Sequence, residues 1–376
     1  MLGDMLKEFN LNFGDTLKNA EAGQGTIKDN MDDLCDILED EILQSKAGEE
    51  EKKAMLKRLR TFCNTETNIM LVGATGCGKS STINALFAVG ENDENVNAEN
   101  PDEKIADKTY VGVAKVGSKA DPETKDIEKY KIGNLVLWDT PGLGDGTEID
   151  EHHREVISGL LREEDEEGNA LIDLVLVILD GSTRDLGTSY KILNDVIIPE
   201  LKEDKNRILV ALNQADIAMK TGRHWDYEKN EPDETLIQFL NEKVQSIRTR
   251  IKEDSDLDIS PVYYCAGYTE ESGDVVRPYN LSKLLYYIMQ SLPAQKRVAI
   301  MEGINTDSDN YEHNDEEEDY NEEIKGSFYD SFDYISDGVD TGAEIGGTLL
   351  GIPGAIVGAF LGGFVGCVRS ILDDIF

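Results

Sequence analysis

Basic residues are scarce in this chain of 376 residues. There are 37 lysines and arginines against 76 acids, which gives a formal net charge of -39 at pH 7. Proteins that bind nucleic acid by broad electrostatics need a basic surface, as do proteins that dock on anionic lipid by charge alone. The composition therefore predicts no nucleic-acid partner and no purely electrostatic membrane contact.

Cysteine is also sparse. The first eight residues carry acids and do not resemble a secretory signal. The cysteines have neither paired spacing nor a metal-binding pattern, which is typical of a reduced compartment. We therefore expect a cytoplasmic location. The five cysteines are Cys35, Cys63, Cys77, Cys265 and Cys367.

Several glycines are concentrated in a short segment that predicts a phosphate-binding loop. An apolar run at 68–72 precedes a segment of the form G-x-x-x-x-G-K-[ST], and a helical pattern at 81–87 follows it. Glycines at a strand-to-helix turn let backbone N–H groups approach an anion. Lys79 adds charge for the outer phosphates, and Ser80 offers a hydroxyl ligand for Mg²⁺. The predicted nucleotide-binding residues here are Gly73, Ala74, Thr75, Gly76, Cys77, Gly78, Lys79, Ser80 and Ser81.

A second motif, Asp139-Thr140-Pro141-Gly142, directly follows the apolar run 133–138. A carboxylate at a strand end beside a phosphate loop can hold Mg²⁺ through water. The backbone N–H of Gly142 can contact a γ-phosphate and respond to its loss. The pattern therefore predicts a magnesium site that includes Ser80 and Asp139, with Gly142 as a further phosphate contact.

A third motif, Asn213-Gln214-Ala215-Asp216, follows the run 207–212. An aspartate here can accept two hydrogen bonds from guanine, whereas adenine offers no such pair of donors, so Asp216 predicts selection of GTP over ATP. We expect Asn213 to tie this loop to the phosphate loop. The alternative is an ordinary Asn/Asp turn. The predicted guanine contacts are Asn213, Gln214 and Asp216, with the loop Cys265, Ala266 and Gly267.

Strand-like and helix-like segments alternate between residues 67 and 295. Such alternation predicts an α/β fold, a mostly parallel sheet with helices on both faces, of the kind found in P-loop GTPase domains. The segment Tyr130-Lys131-Ile132 is expected to form an antiparallel edge strand. The predicted strands are 68–72, 133–138, 171–179, 207–212 and 261–265, and the predicted helices lie near 150–165, 187–198, 233–253 and 281–291.

Three further regions flank this domain. Residues 1–66 have helical periodicity and are expected to form an N-terminal helical region. Residues 296–344 are expected to form an acidic linker, because 302–344 hold sixteen acids and one base. Residues 345–376 form a glycine-rich apolar tail, in which 345–368 are 24 residues without a charge.

With the motifs in this order, residues 67–295 resemble the Era-like group of the TRAFAC-class GTPases. The segments Asn134–Asp145 and Ile178–Thr188 are similar to its bacterial YfjP/YkfA-like branch. The resemblance implies hydrolysis of GTP to GDP and phosphate with Mg²⁺, involving Lys79, Gly142 and a switch I threonine that closes over the metal. Thr124 is the best match for that threonine, and Thr109 is the competitor.

Two positions depart from the pattern of this group. Gln214 replaces the usual lysine of the guanine motif, so the charge is lost. Leu143 stands where Ras-like proteins have a glutamine that orients water. We therefore expect slow intrinsic hydrolysis that a partner or self-association accelerates.

The tail carries small residues at a spacing of four, which allows close helix packing in lipid. As one helix, 24 residues span about 36 Å, enough for a hydrocarbon core of ~30 Å, whereas a break at Pro353-Gly354 would give an inserted hairpin. The alternative is a soluble hairpin packed on the N-terminal helices. The membrane interpretation of 345–368 predicts a peripheral or tail-anchored protein on the inner face of the membrane.

Three functions follow from these patterns. The first is a GTP-hydrolysing switch that controls membrane contact or assembly into a homo-oligomer. The second is a non-catalytic GTP-binding scaffold. The third, a ribosome-assembly GTPase, is disfavoured because the C-terminal region has no basic RNA-binding module.

Overall fold

Among the residues that the computed structural model describes, seven strands form the central sheet. They are β1 (Thr67–Gly73), β2 (Thr109–Tyr110), β3 (Glu128–Ile132), β4 (Leu135–Asp139), β5 (Leu174–Asp180), β6 (Ile208–Asn213) and β9 (Val262–Tyr263). Their order is β2-β3-β4-β1-β5-β6-β9. Strand β1 pairs in parallel with β4 and β5, and β6 pairs in parallel with β5 and β9. This mostly parallel sheet confirms the predicted fold class.

The structure describes residues 36, 39, 40, 43, 48–87, 109–110, 127–142, 147–165, 168–183, 186–201, 204–219, 224–269, 275–328 and 330. Several predictions fall outside these residues: the switch I role of Thr124, the water-orienting position Leu143 and the tail at 345–376.

Eight helices are bounded within the described ranges: α1 (Glu49–Asn64), α2 (Lys79–Leu86), α3 (Thr147–Arg162), α4 (Gly187–Ile192), α5 (Ile198–Leu201), α6 (Glu234–Ser255), α7 (Leu281–Ser291) and α8 (Ala294–Gly303). A π-helical turn, Leu193–Ile197, joins α4 to α5. Two short hairpins pair β7 (Trp225–Asp226) with β8 (Glu231–Pro232), and β10 (Tyr268–Thr269) with β11 (Val275–Val276).

The described residues fall into two compact units. Of the described residues, those up to Glu66, Pro293–Glu302 and those from Glu322 onward belong to one unit, and those within Thr67–Leu292 and Gly303–Asn321 belong to the other. The second unit contains the sheet and begins where the predicted domain begins.

The core of the second unit forms because its central strands are apolar along their length. All residues of β1 and β6 are buried. Helix α6 buries the stripe Leu236, Leu240, Val244, Ile247 and Ile251, spaced for one helical face. Its amino end is capped by Asp233, whose side chain accepts a hydrogen bond from Leu236 N at 2.9 Å. This packing fixes the strand ends from which the functional loops emerge.

One strand prediction is partly wrong. Strand β3 pairs antiparallel with β4, as expected. It is not the edge of the sheet, because β2 pairs in parallel along its other side, with Thr109 opposite Lys129. A strand of two residues is too short to give a period in the sequence.

The first unit contains α1 and most of α8. Lys296 Nζ donates to Glu66 O at 2.6 Å, and Arg60 forms an ion pair with Glu39. Cys63 is disulfide-bonded, and its partner lies outside the described residues. This bond differs from the expectation of reduced cysteines.

The acidic linker predicted from residue 296 onward is wrong where the structure describes it. Residues 303–321 pack within the second unit and bury Ile304, Tyr311 and Tyr320, and residues 320–328 are helical. The density of acids in the sequence masked these apolar positions. In the part of the chain that the structure describes, no helix is both long and apolar enough to cross a membrane.

Candidate nucleotide-binding site

The predicted site residues meet at one edge of the sheet. Strands β1, β4, β5, β6 and β9 run in the same direction, so the loops at their carboxyl ends lie side by side. In open α/β sheets, this edge is where ligands bind. The register of β5 and β6 places the ends of these two strands side by side, since Asp180 of β5 lies opposite Asn213 of β6.

The phosphate loop has the backbone conformation that its glycines predict. Gly76 and Gly78 have φ values of 79° and 93°, in the left-handed region. A Cβ on Gly73 would lie 2.4 Å from Ile178 O, so this position also excludes other residues. The Lys79 side chain is buried, with Nζ 3.4 Å from Gly73 O and 3.5 Å from Ala74 O. The ammonium group thus lies against its own loop, where an outer phosphate would bind.

Ser80 and Asp139 come together across the loop. Ser80 Oγ donates to Asp139 Oδ2 at 2.7 Å, and Asp139 is only 1% exposed. Its Oδ1 is buried and has no hydrogen-bond partner among the described residues. Burial raises the pKa of Asp139, and Lys79 and the Ser80 hydrogen bond oppose that rise. A buried carboxylate with a free oxygen beside a hydroxyl fits the oxygen ligands that Mg²⁺ takes.

The described residues supply only part of a metal shell. Within them, no cluster of three or more His, Cys, Asp or Glu side chains forms a metal site. Mg²⁺ usually retains several waters and binds one or two carboxylates together with substrate phosphates. Ser80 and Asp139 are therefore sufficient protein ligands for that kind of site.

Gly142 lies directly against the phosphate loop. A Cβ at this position would be 2.4 Å from Thr75 Cα and 2.6 Å from Thr75 N. Gly142 is buried. The preceding Thr140 anchors the segment, with Oγ1 donating to Leu71 O at 2.8 Å. The second motif is therefore held in contact with the loop that it is predicted to serve.

Asn213 joins three loops. Its Nδ2 donates to Cys77 O at 3.0 Å, and its Oδ1 accepts from Ala266 N at 3.0 Å. Its backbone O accepts from Gly181 N at 2.7 Å. The structure thus places Asn213 where the sequence predicted it, between the phosphate loop and the guanine loops.

Gln214 adds a second connection to the phosphate loop. Its Nε2 donates to Gly76 O at 2.9 Å, and its φ is 62°. A non-glycine residue in the left-handed region carries strain that its surroundings must hold. The amide makes this contact without the positive charge that a lysine would bring.

Asp216 has the environment expected of a specificity residue. It is 2% exposed, and neither carboxylate oxygen has a partner with hydrogen-bond geometry among the described groups. Burial raises the pKa of Asp216, and the nearby Cys265 thiol and two backbone N–H groups partly offset that effect. An unpaired buried carboxylate is costly in the free protein. A ligand with two parallel N–H donors would remove that cost.

The third loop adopts a tight turn beside Asp216. Gly267 has a φ of 74°, and a Cβ there would lie 2.8 Å from Val276 O. Cys265 is buried and exchanges backbone hydrogen bonds of 3.0 Å with Tyr279. The structure therefore brings Cys265, Ala266 and Gly267 to the same place as the guanine motif.

Sequence reasoning missed a pair of hydroxyls behind the site. Thr82 Oγ1 lies 2.6 Å from the Tyr264 hydroxyl and donates to Gly78 O at 2.7 Å. Tyr264 is fully buried and directly precedes Cys265. The pair joins α2 to the guanine loop. A tyrosine inside an apolar run gave no sign of this contact, because its partner is 182 residues away.

Comparison with known families identifies this region. Residues 68–214 match the profile of the family described as 50S ribosome-binding GTPase. This segment therefore has the P-loop GTPase fold, with the phosphate loop and mostly parallel sheet described above. The match begins in β1 and ends at Gln214, so it contains all of the phosphate and magnesium motifs that the structure describes.

Solved structures of GTPases also resemble the chain, at low identity. An Aquifex aeolicus Era variant bound to GDP and aluminium fluoride is 16% identical, with a TM-score of 0.34, 61% of this chain and 57% of that chain covered. Era with MgGDPNP and part of 16S ribosomal RNA is 17% identical, with a TM-score of 0.35 and the same coverage. The FeoB G-domain of Methanococcus jannaschii is 18% identical, with a TM-score of 0.27, 60% of this chain and 98% of that chain covered.

The chain thus spans 57% of the length of both Era structures. No curated protein matches its sequence.

Proposed function

We propose that this protein binds GTP with Mg²⁺ and hydrolyses it to GDP and phosphate as a nucleotide-dependent switch. The observation that carries the proposal is the Asp216 carboxylate, which is buried, unpaired and adjacent to the phosphate loop through Asn213. Guanine provides the two donors that this carboxylate lacks, and a triphosphate on the same molecule would reach Lys79.

Each residue has a distinct role in this proposal. Lys79 and the phosphate-loop N–H groups bind and orient the phosphates. Ser80, Asp139 and Thr124 would hold the metal, and Mg²⁺ when bound would neutralise the charge that develops on the phosphates. The Gly142 N–H contacts the γ-phosphate, and its packing on Thr75 couples that contact to the position of the loop.

Hydrolysis is expected to be slow in the isolated protein. Leu143 cannot orient a water molecule, so another group must do so, supplied by a partner or by a second copy of this chain. A single-turnover measurement with excess protein tests this point at two protein concentrations. A rate that rises with protein concentration supports activation by self-association. Fast hydrolysis by dilute monomer would contradict it.

A link between the nucleotide and a membrane is part of the same proposal. The uncharged segment 345–368 is long enough to enter lipid, and its small residues at a spacing of four suit close helix packing there. The YfjP/YkfA-like resemblance, a location on the inner face of the membrane and a homo-oligomer also remain proposals.

Flotation with liposomes tests the membrane link. Full-length protein and a chain of residues 1–340 are floated with GDP or a non-hydrolysable GTP analogue. The proposal predicts that only the full chain floats and that the nucleotide changes the amount. Equal flotation of both chains would remove the tail as the anchor.

A non-catalytic scaffold and a ribosomal role are the competing functions. The family profile is named for 50S ribosome binding, and one Era structure contains ribosomal RNA. The net charge of -39 in this chain opposes RNA binding, so we propose no nucleic-acid partner. Purification under low salt with analysis of bound RNA tests this, and stoichiometric RNA would favour the ribosomal role.

A further inference from the structure

Residues 303–321 form an acidic strap, the name used here for this segment, within the same unit as the nucleotide site. The strap begins with an antiparallel bridge between Ile304 and Phe87, the residue that follows α2. Near its other end, Tyr320 is buried. Between these points it contacts the site from behind at two separate places.

The first contact is with the carboxyl end of α2, whose amino end is the phosphate loop. A helix leaves its last carbonyl groups without partners inside the helix. Donors from the strap bind them: Asn305 N and Tyr311 Oη to Leu86 O at 2.8 and 3.2 Å, Asn305 Nδ2 to Asn84 O at 3.2 Å, and Asn310 Nδ2 to Ala85 O at 3.4 Å.

The second contact is with the strand that leads to the guanine loop. Asp315 Oδ2 accepts from Lys283 Nζ at 2.7 Å and from Asn280 Nδ2 at 3.2 Å. Asn280 Nδ2 also donates to Tyr263 O at 3.1 Å. Tyr263 ends β9, two residues before Cys265. The Asp315 side chain is 8% exposed, so this contact is buried and poorly screened.

Both contacts lead to nucleotide-binding groups over short, packed paths. Helix α2 has eight residues, about 12 Å at ~1.5 Å per residue. The Thr82–Tyr264 hydrogen bond joins α2 to the guanine loop between the two contacts. Close-packed protein interiors have low compressibility and transmit strain, so a shift at either contact is expected to reach the nucleotide-binding groups.

We propose that the acidic strap is a positioning element of the nucleotide site. It holds α2, which follows the phosphate loop, and β9, which leads to the guanine loop, in fixed positions relative to each other, so that the bound nucleotide is retained. The two positioning residues are Tyr311 at the phosphate end and Asp315 at the guanine end. This inference rests on the proposed function, because it requires that the site bind guanine nucleotide.

The variants for the test each remove one contact and keep the shape of the side chain. Tyr311→Phe removes the hydroxyl that bonds to Leu86 O and keeps the ring. Asp315→Asn removes the buried one of the two carboxylates that pair with Lys283, and leaves the exposed one, Glu317. Glu318→Gln is the matched control, since it changes one acid of the strap to its amide at an exposed position. All are made in the full chain, and the double variant Tyr311→Phe/Asp315→Asn completes a cycle.

The measurement is the rate at which fluorescent GDP dissociates, taken with Mg²⁺ well below the melting temperature of every variant. We expect each single variant to release GDP about 3- to 10-fold faster, from the loss of one hydrogen bond, and the control to stay within about twofold of wild type. In the double variant, we expect the fold increase in the GDP dissociation rate to be smaller than the product of the two single-variant increases, because loss of one contact already frees the strap.

Three outcomes would overturn the inference. Unchanged GDP release in both single variants, with a lower melting temperature, would make the strap a stabilising element only. Multiplicative effects in the double variant would make the two contacts independent. Wild-type protein that binds no fluorescent GDP would contradict the proposed function itself, which separates that failure from the other two.

Discussion

Two buried carboxylates, Asp139 and Asp216, explain most of the chemistry at the level of single residues. Each is almost fully buried, and each has at least one oxygen without a partner among the described residues. Burial raises the pKa of both groups. Burying an unpaired carboxylate costs folding free energy, which other interactions in the protein must offset. A metal ion at Asp139 and a base with two N–H donors at Asp216 are the ligands that would pair with these carboxylates.

Replacing Asp216 by asparagine should reverse the choice of base. The amide side chain offers one acceptor and one donor. Its NH₂ group cannot accept a hydrogen bond from the exocyclic amine of guanine, but it can donate one to the carbonyl that xanthine has at that position. We expect affinity for GDP to fall by about 10²- to 10³-fold, from the loss of two hydrogen bonds to a charged group, and affinity for the xanthine analogue to rise. Titration of both nucleotides measures this.

The control for this exchange is Glu253→Gln, an exposed acid on α6. It should leave both affinities unchanged. An Asp216→Asn protein that kept its preference for guanine would show that another group selects the base.

Replacing Gly142 by alanine should separate hydrolysis from GDP binding. The new methyl group would meet backbone atoms of Thr75 at 2.4 and 2.6 Å, so the two loops must move apart. Overpacking of this kind costs about 1–3 kcal/mol, and we expect the hydrolysis rate to fall by about 5- to 100-fold while GDP affinity changes little. Single-turnover rates and GDP titration give the two numbers.

Gly159→Ala on α3 is the matched control, because a Cβ there meets nothing within 4 Å. It should leave the hydrolysis rate unchanged and stabilise the helix slightly. Equal loss of activity in the two variants would contradict the role of the Gly142 contact.

At the level of elements, the buried stripe of α6 makes a prediction about stability. Leu240 is fully buried, whereas Ile237 on the same helix is 36% exposed. Leu240→Ala should lower the free energy of unfolding by about 2–5 kcal/mol, through lost burial and the cavity left behind. Ile237→Ala should cost much less. Urea unfolding of the nucleotide-free proteins compares them, and equal losses would mean that the helix faces the core differently.

The sequence predicted the elements whose signals are local and continuous. The runs at 68–72 and 207–212 became β1 and β6 with shifts of one residue, and the helix at 281–291 was placed without error. Strand β2 was missed because two residues carry no period. The sequence pattern indicates a linker at the strap, because its acids outnumber the few residues, such as Tyr311, that bind it to α2.

The candidate site was predictable for a different reason. Binding a nucleotide requires glycines with a left-handed backbone, such as Gly78, and polar residues at strand ends. These residues therefore recur at fixed spacings that the sequence shows directly. The contacts Thr82–Tyr264 and Asn280–Asp315 join residues far apart in the chain. No spacing rule connects such pairs, and only the fold brings them together.

For the whole molecule, the raised pKa values predict how stability depends on pH. A carboxyl whose folded pKa lies above its unfolded pKa favours the folded state most at low pH, and this contribution is lost as the pH rises through the folded value. Once the pH exceeds the raised pKa values of Asp139 and Asp216, the two buried carboxylates therefore destabilise the nucleotide-free protein.

The double variant Asp139→Asn/Asp216→Asn should therefore melt at a higher temperature than wild type at neutral pH without nucleotide. The difference should shrink as the pH falls toward the unfolded pKa of aspartate. Repulsion among the other acids changes with pH in both proteins, so the comparison isolates these two groups. If the melting temperature of the double variant relative to wild type instead rose on acidification, the two ionised carboxylates would be stabilising the folded protein through interactions with neighbouring groups.

Hydrolysis of labelled nucleotide by the purified full-length chain tests the central claim most directly. GTP and ATP are each incubated with excess protein, with Mg²⁺ or with a chelator. The account predicts release of phosphate from GTP alone, and only with Mg²⁺, since Asp216 selects guanine and Ser80 and Asp139 need the metal. Absence of GTP hydrolysis at every protein concentration, or equal hydrolysis of ATP, would contradict it.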